Sequence, residues 1–440
     1  MKDHRKRYAL VGTGGRAVFY VDGIVQQCRQ HVALVGMCDL NRTRMNYYNQ
    51  RIQTVLGQPP VPVYPAGDFD RMIAEQKPDG VIVCTVDAVH HQYIIRAMDL
   101  GCDVICEKPM TIDAPKARAI FDAIERTGRN LRVTFNLRYS PVISKIRELM
   151  AHGAVGRPLA VDFSWILDTC HGADYFRRWH REKDKSGGLL IHKGSHHFDA
   201  INWWVGSYPK TVFAMGDLLF YGRENARRRG ETYSYDRYTG EERATQDPFA
   251  LRLDEKVGLQ GLYLDAEKED GYIRDRNVFG DNITIEDAMA VTCRYRNGVI
   301  LSYSLIAFSP WEGLRVSITG DKGRLEFFQK HSSHIIAGQT EKELAADQNA
   351  DLVSELTVYP MFGAPQRIEV PKAEGAHGGG DPLLLDDLFS PQPPPDPLCR
   401  RASHFDGAAS LLLGASANES IRTGQPVQCD ELLKLPEQKP

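Results

Sequence analysis

At 440 residues the chain exceeds one ordinary hydrophobic core, so two domains are expected. Its 42% apolar and 25% charged residues are those of a globular protein, and a net charge of −3 supplies no field that would favour nucleic acid or a membrane surface. The charged start Met1–Arg7 leads into no apolar segment, no run approaches membrane-spanning length, and nine cysteines without CxxC pairs argue against a disulfide framework, so a cytoplasmic setting is expected.

In chain order, Arg7–Val11 reads as a strand running into Gly12-Thr13-Gly14-Gly15-Arg16-Ala17. This fits G-x-G-x-x-G/A, in which the first glycine makes the turn, the second admits pyrophosphate and the small third residue lets helix pack on strand. A second strand, Val32–Met37, ends in Cys38-Asp39, where a carboxylate would accept the ribose hydroxyls of adenosine. An Asp there repels a 2′-phosphate and favours NAD; Arg42 and Arg44 nearby keep NADP as the alternative. Helices are predicted over 41–55, 69–76 and 87–100, the last stopped by Gly101, with a strand at Val81–Cys84. Val104-Ile105-Cys106-Glu107-Lys108-Pro109 is a β-branched run cut off by charge and proline, so Lys108 is presented at the carboxyl end of a strand, the edge where open α/β sheets bind ligands. Asp113 caps a further helix and Leu131–Phe135 gives another strand. Such alternation means a doubly wound parallel sheet, and the first domain is placed at 1–139.

The Gly12 turn, Asp39, Thr85 with His90, Glu107-Lys108-Pro109 and the stretch Val133–Tyr139 together resemble the Gfo/Idh/MocA family of NAD(P)-dependent sugar and cyclitol oxidoreductases. The resemblance implies a Rossmann domain holding cofactor through Gly12, Thr13, Gly14, Gly15, Arg16, Asp39, Arg42, Thr85, His90, Glu107, Lys108 and Asn136. It also implies a substrate domain with a large, mostly antiparallel sheet and helices on one face. Val86-Asp87 stands where the family usually has Pro-Asn after the threonine.

The second domain, 140–440, begins with a helix to Ala151 and the alternating strand Leu159–Leu167. In Ser186–Asp199, helical spacing would put His192, His196 and Asp199 on one face and Lys193 with His197 on a neighbouring one. No fourth ligand or cysteine cluster accompanies these histidines, so no metal is expected. The segment resembles the family's catalytic helix, which implies acid/base roles for Lys108, His196, His192 and Asp199. His192 stands where many relatives carry Asp, which opens the substrate and even the reaction to variation. Arg138, Tyr139, Trp165, Trp179, His192, Lys193, His196 and Lys108 are assigned to substrate. His377, in a glycine-rich loop resembling an element of the family's NAD-dependent glycosidase branch, joins them. A polar, aromatic-bearing insertion over 222–281 is expected to fold as a lid or oligomer contact. Hairpin strands 288–296 and 299–308 turn at Asn297-Gly298, and strands 314–319 and 323–328 follow. The outer face of their sheet would pair two or four copies. A last helix over 405–422 packs on this sheet or on the first domain.

Three functions follow. The first is an NAD-dependent dehydrogenase of a sugar, glycoside or cyclitol, in which Lys108 and His196 handle the hydroxyl proton. The second is a redox-neutral glycosidase working through a 3-keto intermediate. The third is a non-catalytic sugar or NAD sensor, whose cheap sign, loss of the lysine, is missing because Lys108 is present.

Overall fold

The computed structural model describes residues 4–337, 353–370 and 379–437. His377, expected at the substrate, lies outside the described residues. The chain divides into two compact units, and the division is not a single cut. Unit 1 comprises Met1–Ser140, Leu253–Ile273 and Glu374–Ala408; unit 2 comprises Pro141–Arg252, Arg274–Ala373 and Ala409–Pro440.

Unit 1 is built on β1 (Lys6–Val11), β2 (Val32–Asp39), β3 (Val63–Pro65), β4 (Gly80–Val83), β5 (Asp103–Glu107) and β6 (Leu131–Thr134). All pair in parallel in the order β3-β2-β1-β4-β5-β6. Strands buried on both faces read as apolar runs, as in Gly80–Val83, where every residue is buried. The connecting helices include α1 (Ala17–Asp22), α2 (Arg42–Thr54), α3 (Phe69–Gln76), α4 (His90–Asp99) and α5 (Ala114–Thr127). Asp113 caps α5 by accepting from the Lys116 N–H (2.9 Å), and Gly128 ends it in the left-handed conformation. Chain order reverses between β1 and β4, the switch point outside which this sheet order binds dinucleotides. Gly12 makes that point possible: at φ +90°, it lies so close to β4 that a Cβ would stand 2.5 Å from the Cys84 carbonyl carbon.

Unit 2 carries a nine-stranded sheet. Its strands are β7 (Pro158–Asp168), β8 (Pro209–Asp217), β9 (Ala288–Tyr295), β10 (Ile300–Ser309), β11 (Gly313–Gly320), β12 (Gly323–Lys330), β13 (Ser354–Pro360), β14 (Gln366–Ile368) and β15 (Val427–Gln428). The order is β14-β13-β12-β11-β7-β10-β9-β8-β15, antiparallel except where β10 meets β7. β9 and β10 alternate buried with more exposed residues, and their buried side takes the helix Gly194–Val205. Tyr295 donates to Asn202 Oδ1 (2.9 Å), and Phe198 packs on Tyr303 at 4.7 Å between ring centres. The helix His404–Thr423 belongs mainly to this unit: Asn418 donates to the Gly187 carbonyl (2.7 Å), and Ser420 Oγ accepts from the Ala214 N–H (2.9 Å).

The insertion folds in two parts. Residues 222–252 and 274–281 pack within unit 2, where Tyr233 stacks on Phe279 at 4.8 Å, while 253–273 packs within unit 1. All nine cysteines are free thiols. No helix among the described residues is long and apolar enough to cross a membrane.

Candidate active site

Five adjacent strand ends, in the order β2-β1-β4-β5-β6, present the predicted cofactor residues of unit 1. After β1, a Cβ built on Gly14 would have no heavy atom within 4 Å, so this backbone can be approached closely, as a pyrophosphate requires. At the end of β2, one Asp39 oxygen accepts from the Thr13 N–H (2.5 Å) and hydroxyl (2.9 Å), and the other from the Asn41 N–H (2.8 Å). The carboxylate is thereby fixed beside the glycine turn, where it fits the ribose of a dinucleotide.

Arg16 departs from the expectation that it reaches cofactor. Its Nε donates to Glu107 (2.7 Å) and its Nη1 to Asp381 (3.3 Å), with the guanidinium over the Phe19 ring at 4.0 Å. Glu107 also accepts from the Tyr20 hydroxyl (2.9 Å), and Asn136 Nδ2 donates to Asp381 (2.8 Å). Burial alone would raise the Glu107 carboxyl, but the charges of Arg16 and Lys108, with the Tyr20 hydroxyl, outweigh it and hold it below the usual glutamate range. Arg16, Glu107 and Asn136 are thus joined through one buried polar network, because a buried carboxylate must be paired. Their side chains fix the backbone around Lys108. Gly380 lets Asp381 join: a Cβ there would stand 2.4 Å from the Asn136 carbonyl oxygen.

His90 makes a second brace. One ring nitrogen lies 2.9 Å from the Pro109 carbonyl and the other 3.1 Å from that of Thr85, so the ring links the loops after β4 and β5. Burial lowers its pKa, and the hydrogen bonds to the two carbonyls oppose that shift. Lys108, half-buried, is thus held between two anchored neighbours, with a cis peptide to Pro109.

Two substrate expectations fail within unit 1. Arg138, 2% exposed, pairs with Asp406 (2.9 Å) and donates to the Cys399 carbonyl (3.2 Å); the buried Tyr139 donates to Asp387 (2.7 Å) and accepts from Arg132 (2.8 Å). Both side chains lock the crossover segment instead of facing a ligand. Arg42 is exposed, and Arg44 pairs with Asp270 (2.6 Å), a partner 226 positions away that no local pattern announces.

In unit 2 the histidine segment is not one continuous helix. A short helix, Leu189–His192, stops at Lys193 before Gly194–Val205 begins, so His192 and His196 are not on one uninterrupted helical face. His192 lies in an aromatic cluster, its ring 4.1 Å from His180, 5.7 Å from Tyr175 and 5.8 Å from Trp179. His196 and Asp199 are buried in the second helix. Lys193 and His197 meet at Trp165: the Lys193 ammonium stands 4.6 Å over the ring, and His197 stacks on it at 4.4 Å. His197 also shares a hydrogen bond with Tyr303 (2.8 Å).

The same unit assembles a relay that sequence reading missed. Glu312 lies just past β10, and His171 and Tyr175 lie in the helix His171–Arg177. Glu312 accepts from His171 Nδ1 (3.0 Å), and His171 Nε2 faces the Tyr175 hydroxyl (3.0 Å). A carboxylate can only accept, so it places the His171 proton on Nδ1 and leaves Nε2 to take the tyrosine proton. Burial opposes ionisation of Glu312, yet His171, His331 and Lys193 hold its carboxyl well below the usual range. The only local signal was the density of aromatic and basic residues over 171–181; the Glu312 partner is 141 positions away. No cluster of three or more potential metal ligands occurs among the described residues.

Residues 6–135 match the family model described as an oxidoreductase family NAD-binding Rossmann fold, and 147–429 match that family's C-terminal alpha/beta domain. The chain belongs to the Gfo/Idh/MocA oxidoreductase family. YteT of Bacillus subtilis, an oxidoreductase by name, is 32% identical over 98% of this chain and 99% of its own length. The D-glucoside 3-dehydrogenase of Escherichia coli is 27% identical over 46% of this chain and 54% of its own. Among solved structures, the aldose-aldose oxidoreductase of Caulobacter crescentus superposes with a TM-score of 0.62, at 18% identity, over 96% of this chain and 99% of that one, a likeness of fold.

Proposed function

We propose that the protein is an NAD-dependent oxidoreductase acting on a hydroxyl-bearing carbon of a sugar, glycoside or cyclitol. The observation that carries this reading is Lys108, held at the carboxyl end of β5 by the buried Glu107–Arg16 pair on one side and by His90 on the other. Bound NAD would supply the hydride acceptor. Gly12, Thr13, Gly14, Gly15 and Asp39 would hold it, with Thr85 alongside. Lys108 takes the proton of the substrate hydroxyl together with His196, while His192 and Asp199 orient the substrate and Trp165, Trp179 and Lys193 line its site. The sugar-dehydrogenase name of the Escherichia coli relative supports the substrate class. Self-association through the outer face of the nine-stranded sheet completes the reading, and sedimentation would test it.

The direct test is a panel of aldoses, glycosides and cyclitols incubated with purified protein and NAD. Reduced nicotinamide should accumulate with members of the panel and with none of the controls lacking a free hydroxyl.

One observation favours a second reaction. A redox-neutral glycosidase needs a further base to remove the proton beside a transient ketone, and Tyr175 with His171 and Glu312 provides a group of that kind. Aryl glycosides separate the two: aglycone release without net reduced nicotinamide would decide for the glycosidase.

A further inference from the structure

The start of α2 has the make-up of a phosphate site. Directly after Asp39, the N–H groups of Arg42 and Thr43, the Thr43 hydroxyl and the Arg44 guanidinium stand within five residues of the carboxylate expected to hold the adenosine ribose. Backbone donors at a helix start with a nearby guanidinium are what a 2′-phosphate recruits. In this chain, two carboxylates from the distant segment 253–273 already take these donors.

Glu269 accepts from the Arg42 N–H (2.5 Å), from the Thr43 N–H (3.2 Å) and from the Thr43 hydroxyl. Asp270 takes both terminal nitrogens of Arg44, at 2.6 and 3.3 Å. The same segment is fastened on either side: Asn41 Nδ2 donates to the Ala266 carbonyl (2.9 Å), and the Gly15 N–H donates to the Tyr263 hydroxyl (2.9 Å). Tyr263 and Tyr272 flank Arg44, their ring centres 5.9 and 5.5 Å from its guanidinium carbon. These contacts lower the Glu269 carboxyl, so it is ionised at neutral pH.

We propose that Glu269 and Asp270 act as an internal stand-in for a 2′-phosphate, consuming its donors and opposing its charge, and that they make the enzyme select NAD over NADP. The inference rests on the NAD-dependent reading above and deepens it. Asp39 is the local part of this selectivity, and Glu269 is a specificity residue that reaches the site from more than two hundred positions away. It also accounts for Arg42 and Arg44, whose placement would otherwise speak for NADP.

Equilibrium titration calorimetry of the full chain with NAD and with NADP tests this without reference to turnover. The variants are Glu269→Gln, which removes the charge, and Glu269→Asp, which keeps it. Removing one like charge near the phosphate, and freeing its donors, should lower the ratio of the NADP to the NAD dissociation constant about tenfold in Glu269→Gln. Glu269→Asp should keep the ratio near that of the unmodified chain. The added change Asp270→Asn, which releases Arg44, should lower the ratio further. A ratio unmoved by Glu269→Gln while NAD still binds would overturn the inference and leave the NAD-dependent reading standing. Equal weakening of both dinucleotides would also overturn it, by showing that Glu269 only tethers the segment. An unmodified chain that prefers NADP would overturn both the inference and the NAD preference, and one that binds neither dinucleotide would overturn the proposed function as well.

Discussion

The two units use charge in opposite ways. In unit 1, ionisable residues at the strand ends are paired off: Arg16 with Glu107 and Asp381 beside Lys108, and Arg44 with Asp270 at the start of α2, while burial lowers the His90 pKa. In unit 2, histidines gather round one buried carboxylate, with His171 and His331 3.0 and 3.7 Å from Glu312, and with His180 and His192 in ring contact nearby. The first arrangement pairs charges that hold backbone in place; the second sets two imidazole rings beside one buried carboxylate. A nucleotide cradle needs the former and acid/base chemistry needs the latter. Substitutions in the two units should therefore fail differently, the first through stability and the second through rate.

The largest effect should fall in unit 2. If the relay moves protons, His171→Ala and Tyr175→Phe should each lower kcat by about 10²- to 10⁴-fold, the range for loss of a general acid or base, with the double variant little worse than either single one. Steady-state kinetics over a pH series would show it, and a change confined to the melting temperature would reduce the relay to a packing motif. In unit 1, Arg16→Ala should cost about 3 kcal/mol of stability by leaving Glu107 buried without its cation, and Glu107→Gln on top should restore part of the loss. Thermal unfolding checks both.

Acid stability offers a smaller contrast. Glu312 and Glu107 have folded pKa values below their ordinary 4.5, so their contribution to stability is full above that value and is lost as pH falls through the lowered folded values. Glu312→Gln should flatten this acid limb of the unfolding curve, and an unchanged limb would remove Glu312 from the ledger of buried charges. The smallest effect should be Asp113→Ala, about 1 kcal/mol for loss of the α5 cap, with no change in cofactor affinity.

The sequence was most legible where the chemistry is local. The Gly12 turn, the Asp39 strand end, the Asp113 cap and the strand ending at Lys108 each depend on a few neighbouring residues, and each stands in the structure where it was expected. The Phe69–Gln76 helix matches the prediction residue for residue. Where partners are remote the reading fell short. The inward turn of Arg16 needs Glu107, 91 positions on, and Asp381, 365 positions on. Nothing near Arg138 announces Asp406, and nothing near His171 announces Glu312. The interruption at Lys193 escaped for a different reason: helical spacing presumes a continuous helix, and the single mark of the break is Gly194 directly after it. The division of the insertion between two units was equally hidden, because its anchors are contacts with remote partners, such as Tyr263 on Gly15 and Glu269 on Arg42 and Thr43.

Lys108 is the one residue of unit 1 to which the proposed function assigns acid/base chemistry. Replacing it with methionine keeps much of the side-chain volume and removes the amine. Calorimetric titration of Lys108→Met with NAD, run beside turnover of the best substrate from the panel, is the most direct test of the account. The account predicts NAD affinity within about threefold of the unmodified chain, because Glu107, Arg16 and His90 still hold the turn, and turnover lowered by at least about 10²-fold. Undiminished turnover with NAD bound would contradict it.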